Sequence, residues 1–274
     1  MPNRMKLANR TAVVTGAASG IGRAVAMSLA RRGCHLALAD IDDQKLEATV
    51  KMAAANGVRV SRHQVDVGDR NAVAAFPHAV MAEHAGADVL VNNAGVAIGG
   101  TFEEASEEDF EWLFGINFWG VVHMTRAFLP VLKKSDDARV VNVSSAFGLI
   151  SPPGQTAYSA SKFAVRGFSN ALRHELAGSR VGVTVVHPGG VATSIADNAR
   201  PPKNATPEQI ARLRALAKTA LRLPPEVAGE IIVKNIERRA SRVLVGRDAK
   251  ILSMVERLAP VSYWKVLGRL LRTA

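Results

Sequence analysis

The chain has 274 residues, of which 48% are hydrophobic and 22% charged, so it is long enough to bury a substantial core in one domain. It contains no run of about 18 apolar residues, so we expect no membrane-spanning helix. The first ten residues are polar, unlike a secretory signal. A single cysteine, Cys34, precludes an internal disulfide and a thiolate metal cluster, and the histidines lack the spacing of metal ligands. We therefore expect a cytoplasmic protein without a metal site.

Apolar runs alternate with helix-length amphipathic stretches along the chain. The predicted strands are 11–15, 35–39, 58–65, 88–92, 139–144, 181–187 and 242–245. The predicted helices lie near 20–32, 42–55, 69–84, 107–133, 156–177 and 225–239. Near-continuous apolar strands are typical of parallel strands buried on both faces. This order predicts an α/β fold with a doubly wound, seven-stranded parallel Rossmann-type sheet, helices on both faces and a single domain.

The turn that follows the first strand reads Thr-Gly-Ala-Ala-Ser-Gly-Ile-Gly from residue 15 and opens a helix. Its glycines permit a tight turn and a close backbone approach to a pyrophosphate, and the helix N-terminus supplies free N–H groups. The residues expected to contact a dinucleotide here are Gly16, Ser19, Gly20, Ile21 and Gly22.

Carboxylates end the second and third predicted strands. Asp40 lies 18 residues after Gly22, where a carboxylate accepts hydrogen bonds from the adenosine ribose hydroxyls and repels a 2′-phosphate. This indicates NAD rather than NADP as the cofactor. Asp66 can accept a hydrogen bond from the adenine amino group, with Val67 packing nearby.

The fourth predicted strand ends in Asn92-Asn93-Ala94-Gly95. Small residues there let the backbone lie flat beside the adenosine ribose, and Asn92 can tie neighbouring strands together. Because the carboxyl ends of parallel strands meet at one edge of the sheet, these residues converge on the crevice where such sheets bind ligands.

Tyr158 and Lys162 lie four residues apart in the predicted helix 156–177, and Ser145 lies thirteen residues before Tyr158. A free tyrosine has a pKa of about 10. A cation one helical turn away stabilises the phenolate, so this spacing predicts a lowered pKa for Tyr158. Both side chains can then act on one substrate oxygen.

With these motifs placed, residues 8–248 resemble the short-chain dehydrogenase/reductase family. The resemblance rests on Thr-Gly-x-x-x-Gly-x-Gly, Asn-Asn-Ala-Gly and Tyr-x-x-x-Lys, which occur in order and at the family's spacing. It implies a catalytic tetrad of Asn117, Ser145, Tyr158 and Lys162. It also implies that the cofactor is held by Asp40, Asp66, Val67, Asn93, Ala94, Gly95, Tyr158, Lys162, Pro188, Gly189, Val191 and Thr193, together with the glycine-rich turn.

Roles for these residues follow from the same resemblance. Tyr158 exchanges a proton with the substrate oxygen, Ser145 donates a hydrogen bond to that oxygen, and Lys162 lowers the pKa of the phenol and binds the nicotinamide ribose. Asn117 holds a water that links Lys162 to solvent, and Thr193 holds the nicotinamide carboxamide. The family's subunits also pair through the helices at 107–130 and around Tyr158, so we expect a homodimer or homotetramer.

Two segments stand apart from the regular alternation. Prolines bracket a basic helical stretch, 207–222, within residues 189–224, which we interpret as a substrate loop or lid. Beyond the catalytic domain, 1–248, a basic amphipathic C-terminal extension, 249–274, has apolar residues at helical spacing on either side of Pro260. This extension can pack on a neighbouring subunit, cover the pocket or make a peripheral membrane contact.

The net charge of +11 is concentrated at this end of the chain. Residues 238–274 carry nine lysines and arginines against two acids, Asp248 and Glu256. A basic surface can meet an anionic lipid, an acidic partner or nucleic acid. No zinc-finger, RNP-type or basic-zipper motif accompanies this one, so we expect no nucleic-acid partner.

The sequence therefore predicts an NAD-dependent oxidoreductase that interconverts a hydrophobic secondary alcohol and its ketone. Residues 146–156 contain no lysine or arginine to pair with an anionic substrate, and Phe147, Leu149 and Ile150 are apolar. Two alternatives stay open. One is an NADP-dependent carbonyl reductase, and the other is a nucleotide-binding protein on the same fold without catalysis.

Overall fold

Seven strands form one parallel sheet in the computed structural model, which describes residues 4–272. The strands are β1 (Thr11–Thr15), β2 (His35–Asp40), β3 (Val60–Gln64), β4 (Val89–Asn92), β5 (Ala138–Val143), β6 (Val181–Pro188) and β7 (Arg242–Val245). Their order is β3-β2-β1-β4-β5-β6-β7, and every neighbouring pair is parallel. The chain switches direction across the sheet between β1 and β4, which opens a crevice at their carboxyl ends. The predicted fold class is confirmed.

The central strands are buried on both faces, as their apolar sequences predict. Every residue of β1, β4 and β5 is buried. Successive side chains alternate between two cores: Val14 and Val141 belong to one, and Val13 and Val140 to the other. A strand of this kind is mostly apolar because neither face meets water, and its few buried polar side chains, such as Asn92 and Asn142, are hydrogen-bonded to each other.

Helices cover both faces of the sheet. One layer contains α1 (Gly20–Ala30), α2 (Asp43–Ala54) and α8 (Pro225–Glu237), and the other contains α3 (Arg70–Glu83), α5 (Val121–Leu132) and α6 (Thr156–Glu175). The remaining helices are α4 (Glu107–Phe114), α7 (Pro207–Ala220), α9 (Arg247–Leu258) and α10 (Tyr263–Arg272). Within residues 4–272, no helix is both long and apolar enough to cross a membrane.

The helix predicted over 107–133 is not continuous. A π-helical turn, Gly115–Gly120, separates α4 from α5. Such a turn is hard to predict from apolar spacing, because it interrupts the regular helix over only six residues. π-helical turns occur often at functional sites, and this one contains Asn117.

The two-part division of the chain stays a prediction. The boundary at 248 falls in the first turn of α9, which begins at Arg247, so the extension continues a helix that starts in the catalytic domain. Residues 1–3 and 273–274 of the two predicted segments lie outside the described residues.

Candidate active site

The glycine-rich turn after β1 has the backbone shape that its sequence predicts. Gly16 and Gly20 have φ angles of 64° and 53°, in the left-handed region that favours glycine. Position 22 requires glycine for a different reason, since a Cβ there would lie 2.0 Å from the Gly16 carbonyl oxygen. The turn therefore folds tightly onto the start of α1.

The N-terminus of α1 is available to an anion. Ser19 is its N-cap residue, but its side chain makes no capping hydrogen bond, and the first turn contains no acidic residue. Ile21 packs against the core and holds the turn in place. Free N–H groups and the positive end of the helix dipole thus converge where a diphosphate would lie, so the site fits a dinucleotide.

Asp40 is tied to this turn by its carboxylate. One oxygen accepts a hydrogen bond from the Ala18 N–H at 2.9 Å, and the other accepts one from the Asp42 N–H at 3.0 Å. Each carboxylate oxygen has a second lone pair, so the partly exposed Asp40 can also accept ribose hydroxyls. The Arg23 guanidinium donates to the Ala18 carbonyl and, at 2.9 Å, to the Thr49 hydroxyl, so it is already hydrogen-bonded within the protein.

Asp66 and Val67 have different surroundings. Asp66 is exposed and accepts a hydrogen bond from the Gly68 N–H at 2.8 Å. Val67 is buried against the π-helical turn, where a Cβ on Gly120 would lie 3.0 Å from its methyl group. Asp66 is thus open to an adenine, whereas Val67 mainly joins β3 to the π-helical turn.

Side-chain hydrogen bonds tie β4 to β1 and β5. Asn93 donates from its amide to the carbonyls of Thr15 and Gly16 at 3.0 and 3.1 Å, and the Thr15 hydroxyl accepts from the backbone of Asn93 and Ala94. Asn92 donates to the Asn142 amide oxygen at 2.8 Å, as its predicted tying role requires. These contacts leave Ala94 and Gly95 lining the crevice with almost no side chain.

The segment after β6 closes the same crevice from the other side. Pro188 ends β6, and the Gly189 N–H donates to the Val245 carbonyl at 2.9 Å. Val191 is buried, and Thr193 reaches the glycine-rich turn, where a Cβ on Gly20 would lie 3.0 Å from its methyl group. The structure thus brings the two predicted ends of the cofactor site together.

Lys162 is a buried ammonium at the bottom of the crevice. Its Nζ donates to the Val143 carbonyl at 3.2 Å and lies 5.6 Å from the centre of the Tyr158 ring. A Cβ on Gly95 would lie 3.1 Å from the Asn117 amide oxygen and 3.3 Å from Nζ, so Gly95 lies directly against both side chains. Burial lowers the pKa of Lys162 to about 8.

Tyr158 has the opposite pKa shift from the one predicted. Burial raises the pKa of its phenol, and hydrogen bonding with Ser145 only partly opposes this. The predicted lowering assumed that Lys162 would dominate, but the removal of the hydroxyl from water outweighs an ammonium of depressed pKa. The protein's own groups therefore keep Tyr158 protonated.

Ser145 and Asn117 complete the group around Tyr158. The Ser145 hydroxyl caps a short 3₁₀ turn (Ala146–Gly148) and accepts from the Phe147 N–H at 3.0 Å, while its side chain stays partly exposed. Asn117 is fully buried, bonds both ways to the Val96 backbone and donates to the Ser161 hydroxyl at 3.2 Å. The Asn117 amide is thus held in place near Lys162 by three hydrogen bonds. A water linking Lys162 to solvent would bond to the second lone pair of the Asn117 amide oxygen or to the Asn117 backbone carbonyl.

Three contacts in this region join residues far apart in the sequence; His187 is packed and backbone-bonded, as its place beside Pro188 predicts, whereas the contacts of Asp248 and Tyr263 were not predicted. His187 is buried, its Nδ1 is 3.0 Å from the Ser145 carbonyl, and burial lowers its pKa to about 4, so it positions Ser145 as a neutral ring. Asp248 accepts the Gly190 N–H at 2.6 Å, and the Tyr263 hydroxyl accepts the Ser151 N–H at 3.0 Å. All three act across long sequence separations, which local patterns do not report.

Apolar side chains line the substrate side of Tyr158. The apolar lining consists of Ile98, Phe102, Ala105, Phe110 and Ala157, and the polar Thr101, Gln155 and Thr156 lie among them. No residue of α7 is buried, so this helix of the predicted lid has little packing of its own. Among the described residues, no three His, Cys, Asp or Glu side chains are grouped as metal ligands.

Arg200 connects the predicted lid segment, 189–224, to α4. The Arg200 guanidinium lies 3.5 Å from the centre of the Trp112 ring and donates to the Asp109 carboxylate at 2.6 Å. Its backbone also bonds to Ala97 and Gly99, at 3.1 and 2.9 Å. Segment 189–224 therefore has a defined attachment point beside the substrate crevice.

Comparison with known proteins agrees with this geometry. A family model described as short chain dehydrogenase matches residues 10–204. The chain belongs to the short-chain dehydrogenase family. It is an oxidoreductase of that family, 42% identical over 263 residues to SadH of Mycobacterium tuberculosis, with 94% of each chain covered.

Two solved structures of the family resemble this protein closely. A short-chain dehydrogenase/reductase from Burkholderia phymatum, in complex with NAD, has a TM-score of 0.85 at 34% identity, covering 92% of this chain and 94% of that one. An alcohol dehydrogenase from Thermococcus sibiricus, complexed with 5-hydroxy-NADP, has a TM-score of 0.69 at 27% identity, covering 86% and 95%. Members with this fold thus bind either form of the dinucleotide.

We expect Arg200→Ala to loosen the lid. Stacking of a guanidinium on an aromatic ring contributes about 0.5–2 kcal/mol, and a partly exposed ion pair adds less than about 1 kcal/mol. Hydrogen exchange measured by mass spectrometry should therefore speed up in residues 196–206. Arg200→Lys, which keeps the charge but loses the planar stack, should give an intermediate rate. Exchange that is unchanged in both variants would show that Arg200 does not fasten the lid.

Proposed function

We propose that the protein is an NAD-dependent oxidoreductase that interconverts a hydrophobic secondary alcohol and its ketone. The observation that carries the proposal is the convergence of the Tyr158 phenol, the Ser145 hydroxyl and the buried Lys162 ammonium beside a turn shaped for a diphosphate. A nucleotide-binding protein without catalysis has no need of a buried ammonium next to a phenol.

The cofactor, when bound, supplies the nicotinamide that accepts or donates the hydride. Tyr158 takes the proton from the alcohol hydroxyl in oxidation and returns it to the alkoxide oxygen in reduction. Ser145 donates a hydrogen bond to the same oxygen and stabilises its developing charge. Lys162 stabilises the phenolate and would bind the nicotinamide ribose, and a bound oxidised cofactor would supply further positive charge to the site.

The substrate class follows from the walls of the crevice. Ile98, Phe102 and Phe110 lie beside Tyr158, and the 146–156 segment contributes no cation. Burial of apolar surface is worth about 25 cal/mol per Å², so a large apolar alcohol gains binding energy that a sugar does not. This supports a hydrophobic alcohol or ketone over a sugar or an acyl-carrier thioester.

The proposed preference for NAD rests on Asp40. Its carboxylate lies at the end of β2, held by the Ala18 and Asp42 N–H groups, where it accepts ribose hydroxyls and repels a 2′-phosphate. Arg23, the base that could neutralise a phosphate from α1, is already bonded to Ala18 and Thr49. This arrangement favours NAD over the alternative, an NADP-dependent carbonyl reductase.

We also propose a homodimer or homotetramer. Trp119 and Phe163 are 49% and 36% exposed on the helices that the family resemblance assigns to subunit contacts. Aromatic side chains with this exposure are common at protein interfaces. We propose a cytoplasmic location for the enzyme.

Tyr158→Phe should lower kcat by about 10²–10⁴-fold, because general acid–base catalysis contributes a factor of that size. NADH formation from a panel of hydrophobic secondary alcohols gives the rate, and NADH fluorescence gives cofactor binding, which should persist. Tyr263→Phe, which changes the other of the two tyrosines and removes only the hydrogen bond to the Ser151 N–H, is the matched control and should lose far less turnover than Tyr158→Phe. Undiminished turnover in Tyr158→Phe would contradict the catalytic role.

Asp40→Ser should reduce kcat/KM with NAD⁺ by about ten- to one-hundred-fold, since hydrogen bonds to a charged group are worth about 1.5–3 kcal/mol. The value with NADP⁺ should rise, because the repulsion of the 2′-phosphate is gone. Asp43→Ser, which removes an acid three residues further along, should leave the ratio unchanged. A wild-type enzyme that prefers NADP⁺ would refute the assignment of Asp40.

A further inference from the structure

The helix α9 exposes its apolar face to solvent. Ala249 and Ser253, on the face toward the body of the protein, are buried. On the opposite face, Ile251, Met254 and Leu258 are 57%, 64% and 80% exposed. A surface helix normally turns its apolar stripe toward the core, so this orientation requires a partner outside the domain.

Two further exposed apolar side chains follow α9 in the sequence. Val261 is 95% exposed, and Trp264, in the first turn of α10, is 37% exposed. We call these five side chains, Ile251, Met254, Leu258, Val261 and Trp264, the outer patch. A tryptophan at the border of an aliphatic patch is typical of surfaces that contact the headgroup region of a bilayer.

Basic side chains surround the outer patch. Arg247, Lys250, Arg257 and Lys265 are exposed along the same two helices. The two acids of α9 lie elsewhere. Asp248 is bonded to the Gly190 N–H, and Glu256 lies three residues after the buried Ser253, on the same side of the helix as that residue. The solvent-facing side of α9 is therefore apolar and positively charged.

We propose that the outer patch is a docking surface for an anionic lipid bilayer. Acidic headgroups would neutralise the surrounding cations while the apolar side chains enter the interface, the combination that interfacial helices use. A second copy of the chain is a poorer occupant. In a two-fold contact the same patch faces itself, so the cations of one copy would lie against those of the other.

The outer patch is joined to the active site at two points. Asp248, at the start of α9, holds Gly190 in the segment after β6, and Tyr263, at the start of α10, holds Ser151 in the segment after Ser145. Docking would therefore place the bilayer near the rim of the substrate crevice. If the proposed function is right, a hydrophobic alcohol can pass from lipid to enzyme with little exposure to water.

Co-sedimentation of the full-length protein with vesicles tests the docking directly. We expect binding to vesicles of phosphatidylcholine mixed with phosphatidylglycerol, weak binding to pure phosphatidylcholine, and release from the mixed vesicles by salt. Equal, salt-independent binding to both kinds of vesicle, or binding to neither, would overturn the proposal. Because the assay needs no turnover, its outcome is independent of whether the proposed reaction is correct.

Matched variants locate the surface. Lys250→Glu should weaken binding to the mixed vesicles by about thirty-fold, since each basic residue near an anionic surface contributes about 1 kcal/mol and a charge reversal counts about twice. Met254→Ser should weaken it similarly by removing an apolar side chain. Lys134→Glu, in the exposed turn after α5, and Met81→Ser, at an exposed position on α3, are the controls and should bind as wild type does.

Light scattering on the same variants distinguishes the rival occupant. Under our proposal, Met254→Ser and Lys250→Glu keep the subunit number of the wild-type protein. A loss of subunits in either variant, with vesicle binding unchanged, would assign the outer patch to a second copy of the chain and overturn the proposal. Thermal melting should show equal stability for all four variants, because every substituted side chain is exposed.

Discussion

The active site depends on one buried cation, the ammonium of Lys162. It lies at the bottom of the crevice, where it donates to the carbonyl of Val143, the last residue of β5, and lies against Gly95, which follows β4. Burial lowers the pKa of Lys162 to about 8, which means that the fold destabilises the charged form. A protein keeps such a group where chemistry needs it, and here the nearest reactive group is the Tyr158 phenol.

The architecture could be predicted because its signals are local. Parallel strands buried on both faces read as apolar runs, and the glycine-rich turn, Asn93 and the Tyr158–Lys162 pair each occupy a few adjacent residues. Other features depend on the packed structure. The sign of the Tyr158 pKa shift follows from burial, which spacing does not report, and the Arg200 stack on Trp112 joins residues 88 positions apart in the sequence. The π-helical turn at Asn117 is hard to predict from apolar spacing, because it interrupts the regular helix over only six residues.

The carboxyl edge of the sheet joins the cofactor crevice to the C-terminal helices. Gly189 and Gly190 lie between them, and Asp248 occupies the space that a side chain on Gly189 would fill, with its carboxylate 2.2 Å from the position of such a Cβ. A movement of α9 would therefore displace the segment from Gly189 to Thr193. In this fold, the surface that carries the outer patch is connected to the active-site segments at Gly190 and at Ser151.

Burial raises the pKa of the Tyr158 phenol, and we expect the positive charge of a bound oxidised cofactor to lower it. The chain has only two tyrosines, so in Tyr263→Phe the near-ultraviolet absorbance of tyrosinate reports Tyr158 alone. A pH titration of this variant without cofactor should give a midpoint above the ordinary tyrosine value of about 10. Saturating NAD⁺ should move that midpoint down. A midpoint at or below the ordinary value without cofactor, or one that NAD⁺ leaves unchanged, would contradict the account.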